Sequence, residues 1–365
     1  MSTTLFSPLK LGDYTLNNRI IMAPMTRGRT GAKGIPNDLV AKYYEQRATA
    51  GLIITEATAV NARGDGWPGA PGIYTDEQQQ GWAKVANAVH DKGGLIFMQL
   101  WHMGRAVLSE SIGGKTPLAP SAIAADGQIP NSEGVPTAFG TPDAMTTAQI
   151  DEAVQSFATA ARRAINAGMD GVEIHAANNF LIDAFLRNGT NKRTDEYGGS
   201  LENRSRFLLH VVDAVTKEIG AGRTGVRFSP TNAVFGISDS DPQAIFTYAA
   251  NALSKRNLAY LHILEPALDS GSPMVVGIPS VAPALRAIYH GLIIQNGALT
   301  QTTGQETLAS DQADAIAFGI PFIANPDLVE RMETDAPLAD PNPETFYTGE
   351  AEGYTDYPAL SLMPA

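Results

Sequence analysis

The chain of 365 residues has no cysteine, which excludes disulfides, thiolate metal sites and a thiol nucleophile together. It has no apolar run long enough to cross a bilayer, so a membrane partner is not expected. No basic cluster occurs either: Lys and Arg total 26 against 38 Asp and Glu, a net charge of −12. Such a balance argues against nucleic-acid or anionic-membrane binding. The opening Met1-Ser2-Thr3-Thr4-Leu5-Phe6 lacks a cationic stretch followed by an apolar one, so a cytoplasmic protein is expected. Two further absences concern chemistry. There is no His-x-His and the acids are not grouped among the six histidines, so no metal is expected. No Gly-x-Ser-x-Gly elbow supports a serine hydrolase.

What the chain does have is regular. With 44% hydrophobic residues it can bury a sizeable core. Eight short apolar, β-branched runs recur at residues 19–25, 51–58, 94–101, 171–176, 225–230, 259–265, 291–297 and 315–319. Runs that are apolar on both faces suit a parallel sheet covered on two sides. Amphipathic segments lie between them. Thr75 with Gln78 and Thr146 with Gln149 form capping boxes ahead of helical stripes, and residues 200–219 carry Leu201, Leu208, Val211, Val212 and Val215 on one face. Eight strand–helix units without a linker-like break favour a single (β/α)8 TIM barrel spanning residues 1–365 over an open doubly wound sheet.

Three segments depart from the minimal barrel. Residues 1–18 are expected to form an N-terminal β-hairpin (5–11, then 14–16) that plugs the amino-terminal end. Residues 103–145, rich in Gly, Pro, Ser and Ala, form a long insertion after strand 3 of the kind that makes a lid. Residues 321–365 form a C-terminal extension, in which Tyr354 to Tyr357 are expected to order the tail across the mouth.

In such a barrel the chemistry belongs at the carboxyl ends of the strands. Those ends offer Thr26 and Arg27, then Glu56, Ala57 and Thr58, then Gln99, Trp101 and His102, then His175 and Asn178, then Arg227 and Ser229. His175 and Asn178 are two neutral donors three residues apart, suited to an oxygen that gains negative charge during reaction. Gly64, Gly66 and Gly69 spell Gly-x-Gly-x-x-Gly, but Pro68 and Pro71 prevent a helix from opening there, so no dinucleotide loop is expected. Trp67 in that loop is either a rim packing residue or an aromatic that reaches the mouth. His90 and His210 read as members of solvated helix faces, and His262 as a hydrogen-bonded core residue.

Eight ordered motifs carry a family resemblance: Met22-Ala23-Pro24-Met25-Thr26-Arg27, Tyr43-Tyr44-Glu45-Gln46-Arg47-Ala48, Gln99-Leu100-Trp101-His102-Met103-Gly104-Arg105, His175-Ala176-Ala177-Asn178, Arg193-Thr194-Asp195-Glu196-Tyr197-Gly198-Gly199, Leu201-Glu202-Asn203-Arg204, Ile323-Ala324-Asn325-Pro326-Asp327-Leu328 and Gly353-Tyr354-Thr355-Asp356-Tyr357-Pro358. Together, from about residue 5 to residue 358, the chain resembles the old yellow enzyme family, nearest the bacterial 2-cyclohexenone reductase type. The resemblance implies an FMN-dependent, NADPH- or NADH-oxidising ene reductase acting on enones, enals, maleimides or nitroalkenes. It implies a ping-pong cycle with hydride delivered from flavin N5, in a monomer or homodimer.

The resemblance also implies roles. Pro24, Met25, Thr26, Ala57, Gln99 and Arg227 would hold the flavin ring, Thr26 tuning its potential and Arg227 offsetting charge that builds on reduction. Asn296, Gly297, Ala298, Phe318, Gly319 and Ile320 would surround the phosphate. His175 and Asn178 would grip the substrate oxygen, with Trp67, Trp101 and Tyr347 lining the pocket. Three positions depart from the family pattern. The motif there reads His-x-x-Asn-Gly-Tyr, the tyrosine donating a proton, whereas this chain has Asn179 and Phe180. The family's phosphate-pairing Arg after Ala317-Phe318-Gly319 is here Ile320, which should loosen FMN by about 1.5–3 kcal/mol. Asn179 in place of Gly is expected to add bulk beside the donors. These departures keep two alternatives open: the same flavin barrel specialised for nitroester or quinone reduction, desaturation or isomerisation, or a non-catalytic ligand-binding barrel with weakened FMN affinity.

Overall fold

The computed structural model describes residues 3–266 and 278–360. Residues 1 and 2 of the expected hairpin segment and 361–365 of the expected extension lie outside the described residues.

Eight parallel strands run in chain order: β1 (Ile20–Met22), β2 (Leu52–Ile54), β3 (Ile96–Trp101), β4 (Gly171–His175), β5 (Thr224–Phe228), β6 (Tyr260–Leu264), β7 (Ile293–Asn296) and β8 (Ala315–Phe318). Each pairs with the next, and β8 pairs with β1, so the sheet closes. That last pairing decides for the (β/α)8 barrel against the open sheet. The strands are shorter than the apolar runs that announce them. The run at 19–25 leaves the ladder after Met22, which frees Ala23, Pro24 and Met25 for the mouth. The helices follow the capping signals. Both boxes form, Thr75 with Gln78 opening Asp76–His90 and Thr146 with Gln149 opening Thr147–Asn166; Ser200 caps Leu201–Ile219.

Side-chain alternation divides the core in two. Outward residues such as Met22, Ile53, Met98, Val172, Ile174, Val226 and Phe228 pack under the helices. Inward residues Ile21, Leu52, Ile54, Phe97, Tyr260 and Ile294 fill the lower barrel. The antiparallel hairpin Leu9–Leu11 and Tyr14–Leu16 closes that lower end, with Leu9, Leu11 and Leu16 joining the inward cluster. Tyr14 Oη donates to the Asp170 carbonyl at 2.9 Å and accepts from Arg223 at 2.9 Å, pinning the hairpin to the approaches of β4 and β5.

The insertion after β3 contains a hairpin, Gln128–Pro130 with Pro136–Ala138, and a short parallel pair, Leu118–Ala119 with Asp143–Ala144. Its apolar side chains Met103, Val107, Leu108 and Ile112 cluster with Trp101 and Ala57, backed by Trp67 and Phe180. The C-terminal segment is stitched to the barrel by arginines. Arg47 donates to the carbonyls of Phe322 and Ile323 (2.8 Å each), and Arg27 to Gly353 (2.8 Å). Tyr354 stacks on Tyr43 at 4.1 Å and is fully buried, so this part of the tail packs beside the barrel and does not line its mouth. Among the described residues, no helix is long and apolar enough to cross a membrane.

Gly12, first in the two-residue hairpin turn, has φ +54 and abuts Gly222, so an added Cβ would overlap the Gly222 carbonyl. Gly12→Ala is therefore expected to cost at least about 1–3 kcal/mol from the left-handed backbone alone, read as a lower urea midpoint. An unchanged midpoint would show that the hairpin is not seated there.

Candidate active site

The carboxyl ends of the strands surround a cavity of about 620 Å³. Every residue to which the resemblance gave a role lines it: Pro24, Met25, Thr26, Ala57, Trp67, Gln99, Trp101, His175, Asn178, Phe180, Arg227, Asn296, Gly297, Ala298, Phe318, Gly319, Ile320 and Tyr347; the strand-end candidates Glu56, Thr58, His102 and Ser229 do not. Sequence reasoning missed Leu264, Pro266, Leu299, Pro321, Ile323 and Phe346. The first five are apolar residues beside strand ends, where composition carries no signal. Phe346 arrives from the C-terminal extension, and only tertiary packing brings it there.

His175 ends β4 and is buried. Burial, aided by Arg227 and His262, holds its imidazole well below its ordinary pKa, so the ring is neutral. Its Nδ1 is buried without a partner among the described residues. The chain then turns through two left-handed residues, Asn178 (φ +58) and Asn179 (φ +64), a conformation that asparagine tolerates better than most side chains. The Asn178 backbone N–H donates to Ser229 Oγ at 2.8 Å.

The orientation of the Asn178 amide follows from its neighbours. Val234 N–H donates to Asn232 Oδ1 at 2.7 Å, which obliges Asn232 to offer its NH2. That group donates to Asn178 Oδ1 at 2.6 Å, leaving the Asn178 NH2 as the free end. Two neutral donors, His175 and Asn178, thus share one wall of the cavity. Phe180 stands beside them, its ring edge-on to His175 and to Trp101, with centroids 4.9 Å away in both cases. Among the described lining residues the phenol is that of Tyr347, half-exposed and tilted on Trp67 at 5.4 Å. Trp67 therefore reaches the mouth as well as packing on its rim.

The strands that flank β4 make the same side of the cavity polar at depth. Gln99 Nε2 donates to Glu173 Oε1 at 2.7 Å, and Arg227 donates to Asn296 Oδ1 at 2.9 Å. Asn296 in turn donates to the Ala317 carbonyl, so its side chain is spent within the barrel. Arg227 Nε and Trp101 Nε1 are buried donors without a partner among the described residues. Nearby, Gly297 (φ +146) and Ala298 (φ +58) turn the chain sharply after β7. The backbone N–H groups of Ala298 and Gly319 have no acceptor among the described residues. Orphaned donors at one wall and a backbone cradle at its end fit a ligand that carries ring carbonyls and a phosphate.

Several expectations are corrected. Asn179 adds no bulk beside the donors: its side chain turns away, donating to the Phe235 carbonyl (2.8 Å) and accepting from Arg105 Nε (3.0 Å). The insertion contributes no lining residue among those described; it buttresses the wall behind Trp101 and Phe180. His102, at the end of the third apolar run, packs behind Gly64 outside the cavity, its pKa pushed down by burial to about 3. Arg27 touches the cavity, but its guanidinium is engaged with Tyr43 and the tail. Gly64 and Gly66 are close-packing positions, against His102 and Val107. His90 does not merely face solvent; it meets Asp170 at 2.9 Å. His262, as expected, is a hydrogen-bonded core residue, 2.8 Å from Glu173.

Comparison with known proteins agrees with this geometry. Residues 4–339 match the model of the NADH:flavin oxidoreductase / NADH oxidase family. The chain belongs to that family. It is 43% identical to the flavin oxidoreductase hxnT of Emericella nidulans over 97% of both chains. It is 42% identical to a probable flavin mononucleotide-dependent alkene reductase of Leishmania infantum, over 98% of this chain and 97% of that one. The structure of an old yellow enzyme homologue from Zymomonas mobilis superposes with a TM-score of 0.96 at 46% identity, covering 98% of this chain and all of the other. The protein is thus an NAD(P)H-dependent flavin oxidoreductase with FMN as its cofactor, and the old yellow enzyme resemblance holds.

For this flavin oxidoreductase the pKa shifts have a checkable sign. An unfolded histidine takes up a proton as pH falls below about 6.5, whereas folded His175 and His102 do not. Their stabilising contribution is complete above that pH and is lost as pH drops toward the folded values. Accordingly, the ring resonances of both histidines are expected not to titrate between pH 8 and 5.5 by NMR. A midpoint near 6.5 for His175 would mean that its ring is solvated and not the neutral donor described.

Proposed function

We propose that the protein reduces activated C=C bonds, with a carbonyl or nitro oxygen of the substrate held by His175 and Asn178. The observation that carries this reading is the pair of neutral donors on one wall, one held neutral by burial and the other oriented by Asn232. Neither group can be replaced by bulk water without loss, because donors fixed before the reaction need no reorganisation as charge develops. Held by these residues, FMN would supply the hydride chemistry that links a nicotinamide nucleotide to the substrate alkene.

The residues divide the work. Gln99 and Arg227 would meet the pyrimidine edge of the cofactor, Thr26 and Ala57 its ring, and the turns at Gly297–Ala298 and Gly319 its phosphate. Trp67, Trp101 and Tyr347 would bound the substrate space and exclude water from it. Phe180 has no proton to give, so protonation of the substrate carbon falls to water or to Tyr347. This lack favours, as a second reading, substrates that need no such proton, such as nitroesters or quinones.

The test is direct. The purified protein is expected to be yellow, or to become so with FMN, and to bleach with NADPH under anaerobic conditions. Reoxidation by 2-cyclohexenone should fall by about 10²–10³-fold on removal of each donor in His175→Ala and Asn178→Ala, with FMN content retained. Failure to take up FMN, or reoxidation unaffected by either variant, would sink the proposal. A wild type that 2-cyclohexenone reoxidises slowly but a quinone or nitroester rapidly would select the second reading.

Ile320 lines the cavity edge and is 59% exposed, an unusual position for an isoleucine. Ile320→Arg is expected to add a charged hydrogen bond to the FMN phosphate, tightening FMN by about 1.5–3 kcal/mol, tenfold to a hundredfold. Titration of the apoprotein measures this, and an unchanged affinity would place the phosphate elsewhere.

A further inference from the structure

One buried acid has no task in the reaction described so far. Glu173 lies inside β4, two residues before His175 and therefore on the same inward face. It is 0% exposed, as is His262 in β6. His262 Nδ1 meets Glu173 Oε2 at 2.8 Å, and Gln99 Nε2 donates to Glu173 Oε1 at 2.7 Å. In the sheet Glu173 stands opposite Gln99 on one side and Gly225 on the other, with Tyr260 next in the row. Gly225 has no side chain to offer here: a Cβ would overlap the Tyr260 ring, so the row stays narrow enough to keep the carboxylate dry. One level higher, Arg227 pairs in register with His175 and His262.

Two consequences follow from elementary chemistry. Burial alone would raise the Glu173 pKa, but His262, Arg227 and Gln99 outweigh burial and hold it below the usual carboxylate range. An ionised carboxylate can only accept, so Gln99 must turn its NH2 toward Glu173 and keep its amide oxygen for the cavity. Glu173 is also the carboxylate whose charge acts on the buried Arg227 guanidinium.

We propose that Glu173, seated by His262, is a positioning residue that fixes the orientation of Gln99 and supplies the counter-charge of Arg227. The cavity then presents an acceptor at Gln99 beside a cation at Arg227. That pattern complements an imide edge, whose N–H is flanked by two carbonyl oxygens, as in the pyrimidine ring of a flavin. The inference rests on the reading that FMN occupies this cavity.

The deciding experiment compares FMN affinity and the midpoint potential of bound FMN in wild type, Glu173→Gln and the exchange Gln99→Glu/Glu173→Gln. Glutamine at 173 can donate to Gln99, which releases the amide to flip, and it leaves Arg227 without its counter-charge. FMN is therefore expected to bind at least about tenfold more weakly. Reduced FMN should also gain about tenfold over oxidised FMN, an upward shift of about 30 mV for a two-electron couple. The exchange keeps a carboxylate–amide hydrogen bond in the barrel but moves the charge to the cavity side, so its potential should shift downward. A merely structural contact would give no such opposition of sign. Wild-type affinity and potential in Glu173→Gln would overturn the inference while leaving the flavin reading intact. If Glu173→Gln fails to fold, the exchange decides by itself, an unshifted potential overturning the proposal. A wild type that takes up no FMN would instead overturn the flavin reading, and this inference with it.

Discussion

A carboxylate and a guanidinium buried at neighbouring levels of a closed barrel constrain everything around them. Each would cost several kcal/mol if left alone in that interior. Glu173 is answered by His262 and Gln99, and Arg227 by Asn296 and by the field of Glu173. These groups come from β3, β4, β5, β6 and β7, so five of eight strands are tied together by one polar layer that spans neighbouring levels. The layer also divides the interior. Below it the barrel is apolar and sealed by Leu9, Leu11 and Leu16 from the hairpin. Above it Arg227, His175 and Trp101 line the cavity, each with a buried nitrogen that has no partner among the described residues.

The same logic sets the two amides that face the cavity. An asparagine or glutamine can present either end, and nothing in its own chemistry selects one. Selection comes from a neighbour that can play only one part. A backbone N–H, which only donates, sets Asn232 and through it Asn178. A carboxylate, which only accepts, sets Gln99. The cavity thus receives a donor on the wall of His175 and an acceptor beside Arg227. Short chains of this kind make a site rigid without metal or disulfide, which suits a chain lacking cysteine.

Legibility in the sequence followed the range of the interactions. Capping boxes are local, and Thr75–Gln78 and Thr146–Gln149 formed as read. Strand ends are local too, and Ala57, Gln99, Trp101, His175 and Arg227, read from the ends of apolar runs, meet in one cavity, whereas Glu56, Thr58, His102 and Ser229 do not line it. Phe346 could not be read, because it reaches the mouth only through arginine bonds from residues 27 and 29 to a tail some 320 positions away. Asn179 was misjudged for a related reason: its partners, Arg105 and Phe235, belong to two distant loops that turn its side chain away from the cavity. Glu173 did carry a signal. An acid within the run Gly171-Val172-Glu173-Ile174, in phase with His175, has to face inward and find partners there.

Phe180 links the electrostatics of this site to its chemistry. The wall beside the donors holds an apolar ring packed edge-on between Trp101 and His175. A phenol there could hydrate or hydrogen-bond the imidazole, whereas a phenyl ring can do neither and helps to keep His175 desolvated. Desolvation is the leading cause of its low pKa. A phenyl ring at this position therefore supplies no acid and favours a neutral donor. In the proposed reading, grip on the substrate oxygen is preserved while proton delivery is surrendered. The balance between enone and quinone or nitroester substrates should then follow whichever step limits turnover.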